Sequence, residues 1–212
     1  VSLSDSGNEV AIGAPGQHLI SDDANYLPGE VRVYFWSNEG WTQKGETIVG
    51  EALGNTFGYS VSLSADGNVV AIGAPNNDTN GTSAGHVRVF NWNDIAWIQV
   101  GEDINGGEVQ AQLGTSISLS SDGSIVAIGA PGTDNPGPAN SGSALIFKQE
   151  GNSWIQLGVT IHGENADDFS GTSVSLSGDG TRLIVGAPEN SGGGDHSGHA
   201  KVYDLDCQDS EE

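Results

Sequence analysis

The chain has 212 residues, of which 28 are Asp or Glu and 6 are Lys or Arg, so its formal net charge is −22. A field of that sign repels nucleic acid and anionic lipid, which excludes a nucleic-acid-binding function. No apolar run approaches the roughly 20 residues of a transmembrane helix, and a single cysteine, Cys207, excludes a disulfide framework within the chain.

One segment recurs four times and defines the organisation of the chain. Its copies are residues 1–15, 60–75, 116–131 and 173–188. Each copy ends in Gly-Ala-Pro, and the Gly stands at positions 13, 73, 129 and 186, so the spacings are 60, 56 and 57 residues. Repetition at a constant phase indicates a repeat architecture.

Each copy begins with two predicted strands, a and b, which a tight turn joins. In the second copy, strand a alternates small polar and apolar residues over residues 60–64, the period of a half-buried strand. Asp66 and Gly67 form the turn, since Gly accepts a positive φ that Asp also tolerates. Strand b is apolar over residues 69–72 without alternation, which predicts burial on both faces. Pro75 ends it, because Pro cannot donate to a ladder.

A loop of variable length leads from strand b to strand c, and a short turn leads from strand c to strand d. Strand c begins at a repeated glycine, which is Gly29, Gly85, Gly142 or Gly198. Strand d begins at Trp41, Trp97 or Trp154, and the fourth copy ends after strand c, near Leu205. We expect these tryptophans to pack between strands or blades, because large aromatic side chains dominate core energetics.

Four short strands per repeat predict an all-β fold, a β-propeller built from four-stranded antiparallel blades. The predicted blades are residues 1–51, 52–108, 109–164 and 165–206, in one domain, 1–206, that an acidic tail follows at 207–212. The fourth blade lacks its outer strand. Two alternatives stay open: a four-bladed ring with an open edge, or a larger ring that another chain or segment completes.

The motifs around strands a and b resemble the FG-GAP repeat, the blade unit of integrin α-subunit heads. The second copy has Phe57-Gly58 before strand a and Gly73-Ala74-Pro75 after strand b, and the other copies have variants such as Leu113-Gly114. The resemblance covers nearly the whole chain and implies an extracellular propeller used for recognition. Integrin-type members carry calcium loops between strands a and b, but this sequence has only tight turns there, so those sites are not predicted.

In such a propeller, the b–c loops and the d–a links open on the same face. The b–c loops, residues 16–28, 76–84, 132–141 and 189–197, are long, polar and unlike one another. Variable loops on a repeated scaffold usually carry function, so we predict that this face binds the ligand. Its acidic residues are Asp22, Asp23, Asp78, Asp134, Glu189 and Asp195 from the loops, and Glu51, Glu108 and Glu164 from the links.

The second b–c loop contains two further candidate sites. Asn76, Asp78 and Asn80 match the first half of a calcium loop, although Val87 stands where a bidentate acid belongs. Calcium is therefore the one cofactor that the sequence leaves open, beside the alternative of a plain turn. Asn77 and Asn80 each begin an N-glycosylation pattern.

Catalytic motifs are weak in this sequence. Ser83 lies in a Gly-x-Ser-x-Gly pattern, but between a loop and a strand, whereas a nucleophile elbow needs a strand before it and a helix after it. Asp195, His196 and His199 are close together and are ligand types that transition metals accept. The alternative is that His199 replaces an apolar residue of strand c, at the position of Val87. The histidines do not otherwise recur in phase, so no repeated metal site is predicted. The sequence therefore predicts that the chain is not an enzyme, with a hydrolase or lyase on the acidic face as the least favoured function.

The first choice of function is an extracellular adhesion or recognition module, secreted or on the cell surface, that binds a protein or glycan partner through its acidic b–c loops. The alternative is a structural subunit that self-associates through the open edge of its last blade to complete a larger ring or filament, because an unpaired edge strand is a pairing site.

Overall fold

The computed structural model describes residues 1–16, 28–134 and 136–205. These residues form four sheets in chain order, which confirms the predicted all-β fold of propeller blades. Blade 1 contains β1 (Ser2–Leu3), β2 (Glu9–Ala14), β3 (Glu30–Ser37), β4 (Gly40–Gln43) and β5 (Ile48–Val49). Blade 2 contains β6 (Ser60–Leu63), β7 (Val69–Ala74), β8 (His86–Trp92), β9 (Trp97–Gln99) and β10 (Ile104–Asn105). Blade 3 contains β11 (Ser116–Leu119), β12 (Ile125–Ala130), β13 (Ser143–Glu150), β14 (Ser153–Gln156) and β15 (Ile161–His162). Blade 4 contains β16 (Ser173–Leu176), β17 (Arg182–Ala187) and β18 (His199–Asp204).

Strands a, b, c and d pair with their chain neighbours in antiparallel order, but strand d is not continuous. In blade 2, β9 and β10 both pair with β8, with Phe90 opposite Gln99 and Val87 opposite Ile104. Residues 100–103 between them form a bulge, and the same interruption separates β4 from β5 and β14 from β15. The bulge turns residues of strand d away from the ladder. No helix in the described part of the chain is long and apolar enough to cross a membrane.

The a–b turns are fixed by one recurring set of hydrogen bonds. In blade 2, Ser64 Oγ donates to Asp66 Oδ1 at 2.6 Å and accepts from the Val69 amide at 2.9 Å. Ser120 with Asp122, and Ser177 with Asp179, make the same contacts in blades 3 and 4. Hydrogen bonds from Ser177 and Thr181 to the carboxylate lower the pKa of Asp179 to about 2.

The hydrophobic core lies between consecutive blades. We call the face of a blade that packs on the preceding blade its front face, and the opposite one its back face. Val70 and Ile72 on the front face of blade 2 pack against Ala11, Val31 and Val33 on the back face of blade 1. Blade 3 packs on blade 2, and blade 4 on blade 3, through the corresponding residues. Every middle blade is therefore covered on both faces, which explains why its strand b is apolar without alternation.

Polar residues of strand a connect one blade to the next. Ser2 Oγ accepts the amide of Leu63 at 3.0 Å, Ser62 Oγ accepts that of Leu119 at 3.0 Å, and Ser118 Oγ accepts that of Leu176 at 2.9 Å. Strand a is the innermost strand of each blade and pairs on one side only, so the amides on its free edge have no partner within the sheet. The alternating serines supply that partner, because a buried amide without one is costly.

The tryptophans of strand d also join neighbouring blades. Trp97 Nε1 donates to the carbonyl of Lys44 at 2.8 Å, and Trp154 Nε1 donates to the carbonyl of Val100 at 3.0 Å. Trp41 belongs to the first blade and is exposed. The predicted packing role is thus confirmed for Trp97 and Trp154.

The two ends of the array are uncovered. The leucine of strand a is 7%, 7% and 8% exposed in blades 2, 3 and 4, but Leu3 of blade 1 is 58% exposed. At the other end, Ile184 and Val202 on the back face of blade 4 are exposed. The described residues therefore form an open arc of four blades, because a closed four-bladed ring would bury the front of blade 1 on the back of blade 4.

Candidate functional site

The b–c loops and the d–a links lie together on one face of the arc. The Gln110 amide in a link donates to the Thr82 carbonyl in the preceding loop at 2.8 Å. In the next repeat, the Asp167 amide donates to the Ala139 carbonyl at 2.9 Å. Each of these loops is thus bonded to the link that follows it, and we call this surface the loop face.

The described acidic residues predicted for the loop face lie on its surface. Asp78, Asp134, Glu189, Asp195, Glu51 and Glu164 are exposed, and Glu108 is half-buried. Asp22 and Asp23, like Cys207 and the acidic tail, fall outside the described residues.

Some of these carboxylates also shape their own loops. Asp78 Oδ1 accepts the Ser83 amide at 2.7 Å, and Asp134 Oδ1 accepts the Asn140 amide at 2.6 Å. Glu108 Oε1 accepts the Asp134 amide at 2.7 Å, which connects a link to the neighbouring loop. The acidic groups therefore hold the loops in place and give the face its charge.

Two of the three candidate calcium ligands in the second loop make hydrogen bonds within the protein. Besides Asp78, Asn80 donates through Nδ2 to the Gly106 carbonyl at 3.2 Å. Calcium binding by Asn76, Asp78 and Asn80 stays a prediction. For glycosylation, Asn77 is 2% exposed and accepts the Thr79 amide, whereas Asn80 is exposed. An exposed acceptor is needed for a glycan, so Asn80 is the better placed of the two predicted acceptors.

A cavity of about 210 Å³ opens at the loop face in blade 3. Its polar lining includes Glu108, Thr133, Ser143, Thr160 and His162, and Leu145 contributes an apolar wall. Ser143 Oγ donates to Thr133 Oγ1 at 2.9 Å, and His162 Nδ1 is buried without a hydrogen-bond partner in the described chain. Convergent polar groups around a partly apolar hollow are typical of a ligand site.

The corresponding place in blade 2 is filled by charged side chains. His86 is 1% exposed, and its Nδ1 lies 3.5 Å from Asp103 Oδ2. One ligand atom each from Glu51, His86 and Asp103 lies within 4.8 Å of the other two. Arg88 joins the group, with Nη1 3.5 Å from Glu51 Oε1 and Nε 3.3 Å from Asp103 Oδ1. Burial lowers the pKa of the His86 imidazole, against the raising effect of Asp103 and Glu51.

The strand registers relate these positions and correct the interpretation of His199. Ala74 pairs with His86, and Ala187 pairs with His199, so the two histidines occupy the same position of strand c. The assignment of His199 to the position of Val87 was therefore wrong. The signal was present in the sequence as a Gly-His pair at residues 85–86 and again at 198–199.

Blade 3 has a cavity because the residues equivalent to the charged group of blade 2 are small or apolar. Ser143 stands in place of His86, Leu145 in place of Arg88, and Thr160 in place of Asp103. Gly107 takes the place of Glu51, since both stand three residues after the isoleucine that opens the second half of strand d. In blade 4, Glu164 recurs at the position of Glu51 and forms an ion pair with Lys201.

Comparison with protein families identifies the repeat. The model of the FG-GAP repeat matches residues 50–90, from a d–a link into strand c of blade 2, and residues 160–203, from strand d of blade 3 into strand c of blade 4. The chain contains FG-GAP repeats. No curated protein sequence matches it.

The two halves of the FG-GAP motif meet within and between blades. The Gly58 amide donates to the Gly73 carbonyl of the same blade at 3.0 Å. A Cβ added to Gly73 would lie 2.2 Å from the carbonyl oxygen of Gly114 in the next blade, closer than any side-chain atom can approach. Glycine is thus required at this point of the FG-GAP repeat, because the next blade's backbone lies against it.

A solved structure shares the propeller fold of these FG-GAP repeats. It is a candidate 6-phosphogluconolactonase from Bacteroides uniformis, and it matches with a TM-score of 0.54 and 16% identity over 82% of this chain. The match covers 44% of that protein, so the present chain spans less than half of its length.

The prediction that the chain is not an enzyme is contradicted by the solved structure that shares its fold. It depended on the lack of a recurrent nucleophile or acid/base pair in the repeats. The solved structure with the same fold is a candidate lactonase, so the fold does not exclude an enzyme, whose catalytic residues need not recur in every blade.

Proposed function

We propose that this FG-GAP propeller is an extracellular recognition module that binds a protein or glycan partner through its loop face. The cavity in blade 3 carries the proposal, because it combines a hollow with the polar groups of Glu108, Thr133 and His162. The cavity opens where a b–c loop and a d–a link meet, so the loops around it can determine specificity without altering the blades.

The rigidity of the loop face supports binding by a preformed surface. Backbone hydrogen bonds connect the loops at residues 76–84 and 132–141 to the links that follow them, and Asp78 and Asp134 cap turns within the loops. A surface that is already ordered loses little conformational entropy when it binds. Its acidic character favours a cationic protein segment, or a glycan whose hydroxyl groups donate to carboxylates.

The experiment is a binding screen on a glycan array and on an array of basic and neutral peptides. The test variant replaces Asp78 and Asp134 with Asn and Glu108, which lines the cavity, and Glu189 with Gln; this removes charge but keeps a carbonyl acceptor for the loop amides. The matched control makes the same four changes at exposed acids of the opposite face, Asp5, Glu39, Asp94 and Glu150. We expect the test variant to lose the bound ligand and the control to keep it. Equal loss in both variants would reduce the effect to net charge and refute the proposal.

A second candidate function is assembly, and the uncovered ends of the arc favour it. Leu3 and Ile12 on the front of blade 1, and Ile184 and Val202 on the back of blade 4, are apolar and exposed, whereas their equivalents in covered blades are buried. We propose that further blades of the same kind, from another copy or another chain, cover these faces. The mass in solution at several concentrations tests whether another copy covers them: association that Val202→Glu abolishes supports this, and a monomer at every concentration contradicts it.

Hydrolysis is a third candidate, favoured by the likeness to the candidate lactonase. The charge of this chain argues for a neutral lactone or ester, since a net charge of −22 repels a phosphorylated substrate. Two cationic side chains near the loop face, Arg88 and Lys201, are engaged with carboxylates. Assays of one neutral and one phosphorylated lactone, with the His162→Gln variant as control, test it. Turnover that the variant retains would place any reaction outside the blade 3 cavity.

A further inference from the structure

We propose that Glu51, His86 and Asp103 in blade 2 bind a divalent transition-metal ion of the zinc class. The three side chains come from different elements: a d–a link, the first residue of strand c, and the bulge in strand d. An imidazole nitrogen with two carboxylate oxygens is a ligand set that zinc and related ions accept.

The geometry of the three ligand atoms is close to that of a metal site. Nδ1 of His86 and Oδ2 of Asp103 are 3.5 Å apart, and no pair among the three ligand atoms exceeds 4.8 Å. Tetrahedral coordination with bonds of about 2.1 Å places ligand atoms about 3.4 Å apart. Glu51 is exposed, so its side chain can close the remaining distance at little cost.

The buried imidazole is the observation that points most directly to a ligand. His86 is 1% exposed, and its Nδ1 has no hydrogen-bond partner in the described part of the chain. The separation of 3.5 Å from Asp103 is long for a hydrogen bond but suits two ligands of one ion. A buried polar atom without a partner is costly, and a bound cation would satisfy it.

Arg88 leaves this position at Asp103 open, because it contacts a different carboxylate oxygen from the one near His86. Its Nε contacts Oδ1 of Asp103 and Oε1 of Gln99, and its guanidinium lies over the rings of Phe57 and Phe90. Oδ2 of Asp103 is the oxygen that faces His86. Arg88 thereby orients the Asp103 carboxylate, as a partner in the outer shell of a metal site does.

Among the described repeats, only blade 2 provides the complete set. Blade 3 has Gly107, Ser143 and Thr160 at the three positions, none of them a strong metal ligand. Blade 1 has Glu30 and Thr47 at the positions of His86 and Asp103. Blades 1 and 3 thus offer internal controls on the same scaffold.

Three protein ligands leave a further coordination position for water or for an oxygen of a bound molecule. The ion would also join the link at Glu51 to strands c and d of blade 2. The site differs from the calcium candidate at Asn76, Asp78 and Asn80 in residues and in metal class, because imidazole favours transition metals over calcium.

The experiment is titration of the metal-free chain with Zn²⁺ by calorimetry, and with Co²⁺ by visible absorption. The test variants are Glu51→Gln, Asp103→Asn and His86→Gln, of which the first alters an exposed residue and leaves folding least affected. The control variant combines Glu189→Gln with His196→Ala, because this exposed pair, 2.8 Å apart, is the rival site for a metal. Circular dichroism and the melting temperature without metal confirm the fold of each variant.

We expect one Zn²⁺ per chain and a Co²⁺ absorption band of a low-coordinate site. Each test variant should weaken binding at least about tenfold, since even outer-shell changes at metal sites cost that much. The control should bind as the parent does. Lack of stoichiometric binding, or loss of binding in the control while folded Glu51→Gln binds normally, would overturn the proposal.

Discussion

Valine occupies the same position of strand c in blades 1, 2 and 4, but the surroundings of the three residues differ. Val33 and Val89 are 1% and 2% exposed under the front face of the next blade, and Val202 is 68% exposed. The same substitution, Val→Ala, can therefore be made at a covered and at an uncovered copy of one position.

The expected loss of stability follows from the carbon atoms that the substitution removes from the core. Val→Ala deletes two methyl groups, worth about 0.8 kcal/mol each when buried, and leaves a cavity that adds to the cost. We expect Val89→Ala to lower the free energy of unfolding by about 2 kcal/mol and Val202→Ala by less than about 0.5 kcal/mol. Equilibrium unfolding in urea, followed by tryptophan fluorescence, measures both.

The comparison can fail in two informative ways. A loss at Val202 as large as that at Val89 would mean that the back face of blade 4 is covered in solution, and the open arc would be wrong for the isolated chain. A negligible loss at Val89 would contradict the assignment of the core to the contacts between blades.

Three further predictions use the same comparison of equivalent positions. Gly129→Ala should be severely destabilising, because its Cβ would lie 1.9 Å from the Gly171 carbonyl oxygen of the next blade. The Cβ of Gly186→Ala meets only Ser173 of its own blade, so this variant should be much less destabilised. The melting temperatures of the two variants test the difference. Trp154→Phe should cost about 1 kcal/mol or more, because it removes the hydrogen bond to Val100, whereas Trp41→Phe, which lacks that contact to a preceding blade, should be nearly neutral in urea unfolding. The pKa of Asp179 is lowered from 3.8 to about 2, so its hydrogen bonds stabilise the fold above pH 3.8 and that stabilisation is lost as the pH falls through about 2. The free energy of unfolding, measured against pH in the acid range, should therefore fall less steeply in Asp179→Asn. An unchanged slope would contradict the role of the turn.

The blades could be predicted from sequence because their signals are local and repeated. The alternation in strand a, the Asp-Gly turn and the Gly-Ala-Pro ending all favour the same structure, and four copies reinforce one another. The broken strand d was not predicted, since a bulge leaves no alternation to recognise in segments as short as β9 and β10.

The proposed metal site was not predicted from the sequence, because its residues are far apart in the chain. Glu51, His86 and Asp103 belong to no motif, and only the pairing of β8 with both halves of strand d brings them together. The cavity in blade 3 was not predicted either, because it exists where Gly107 and Leu145 replace the charged side chains of Glu51 and Arg88. The loop face itself was predictable, since the order of strands in a blade determines which connections share an end.

We propose that the loop face, rather than the blade scaffold or the overall charge, performs recognition. The most direct measurement is the dissociation constant of the first ligand found on the arrays, for the parent chain, for the loop-face variant with four neutralised acids, and for the control with four neutralised acids on the opposite face. We predict that the loop-face variant binds at least about tenfold more weakly, a loss of about 1.4 kcal/mol, and that the control binds as the parent does. An equal loss in both variants, or none in the loop-face variant, would contradict recognition by the loop face.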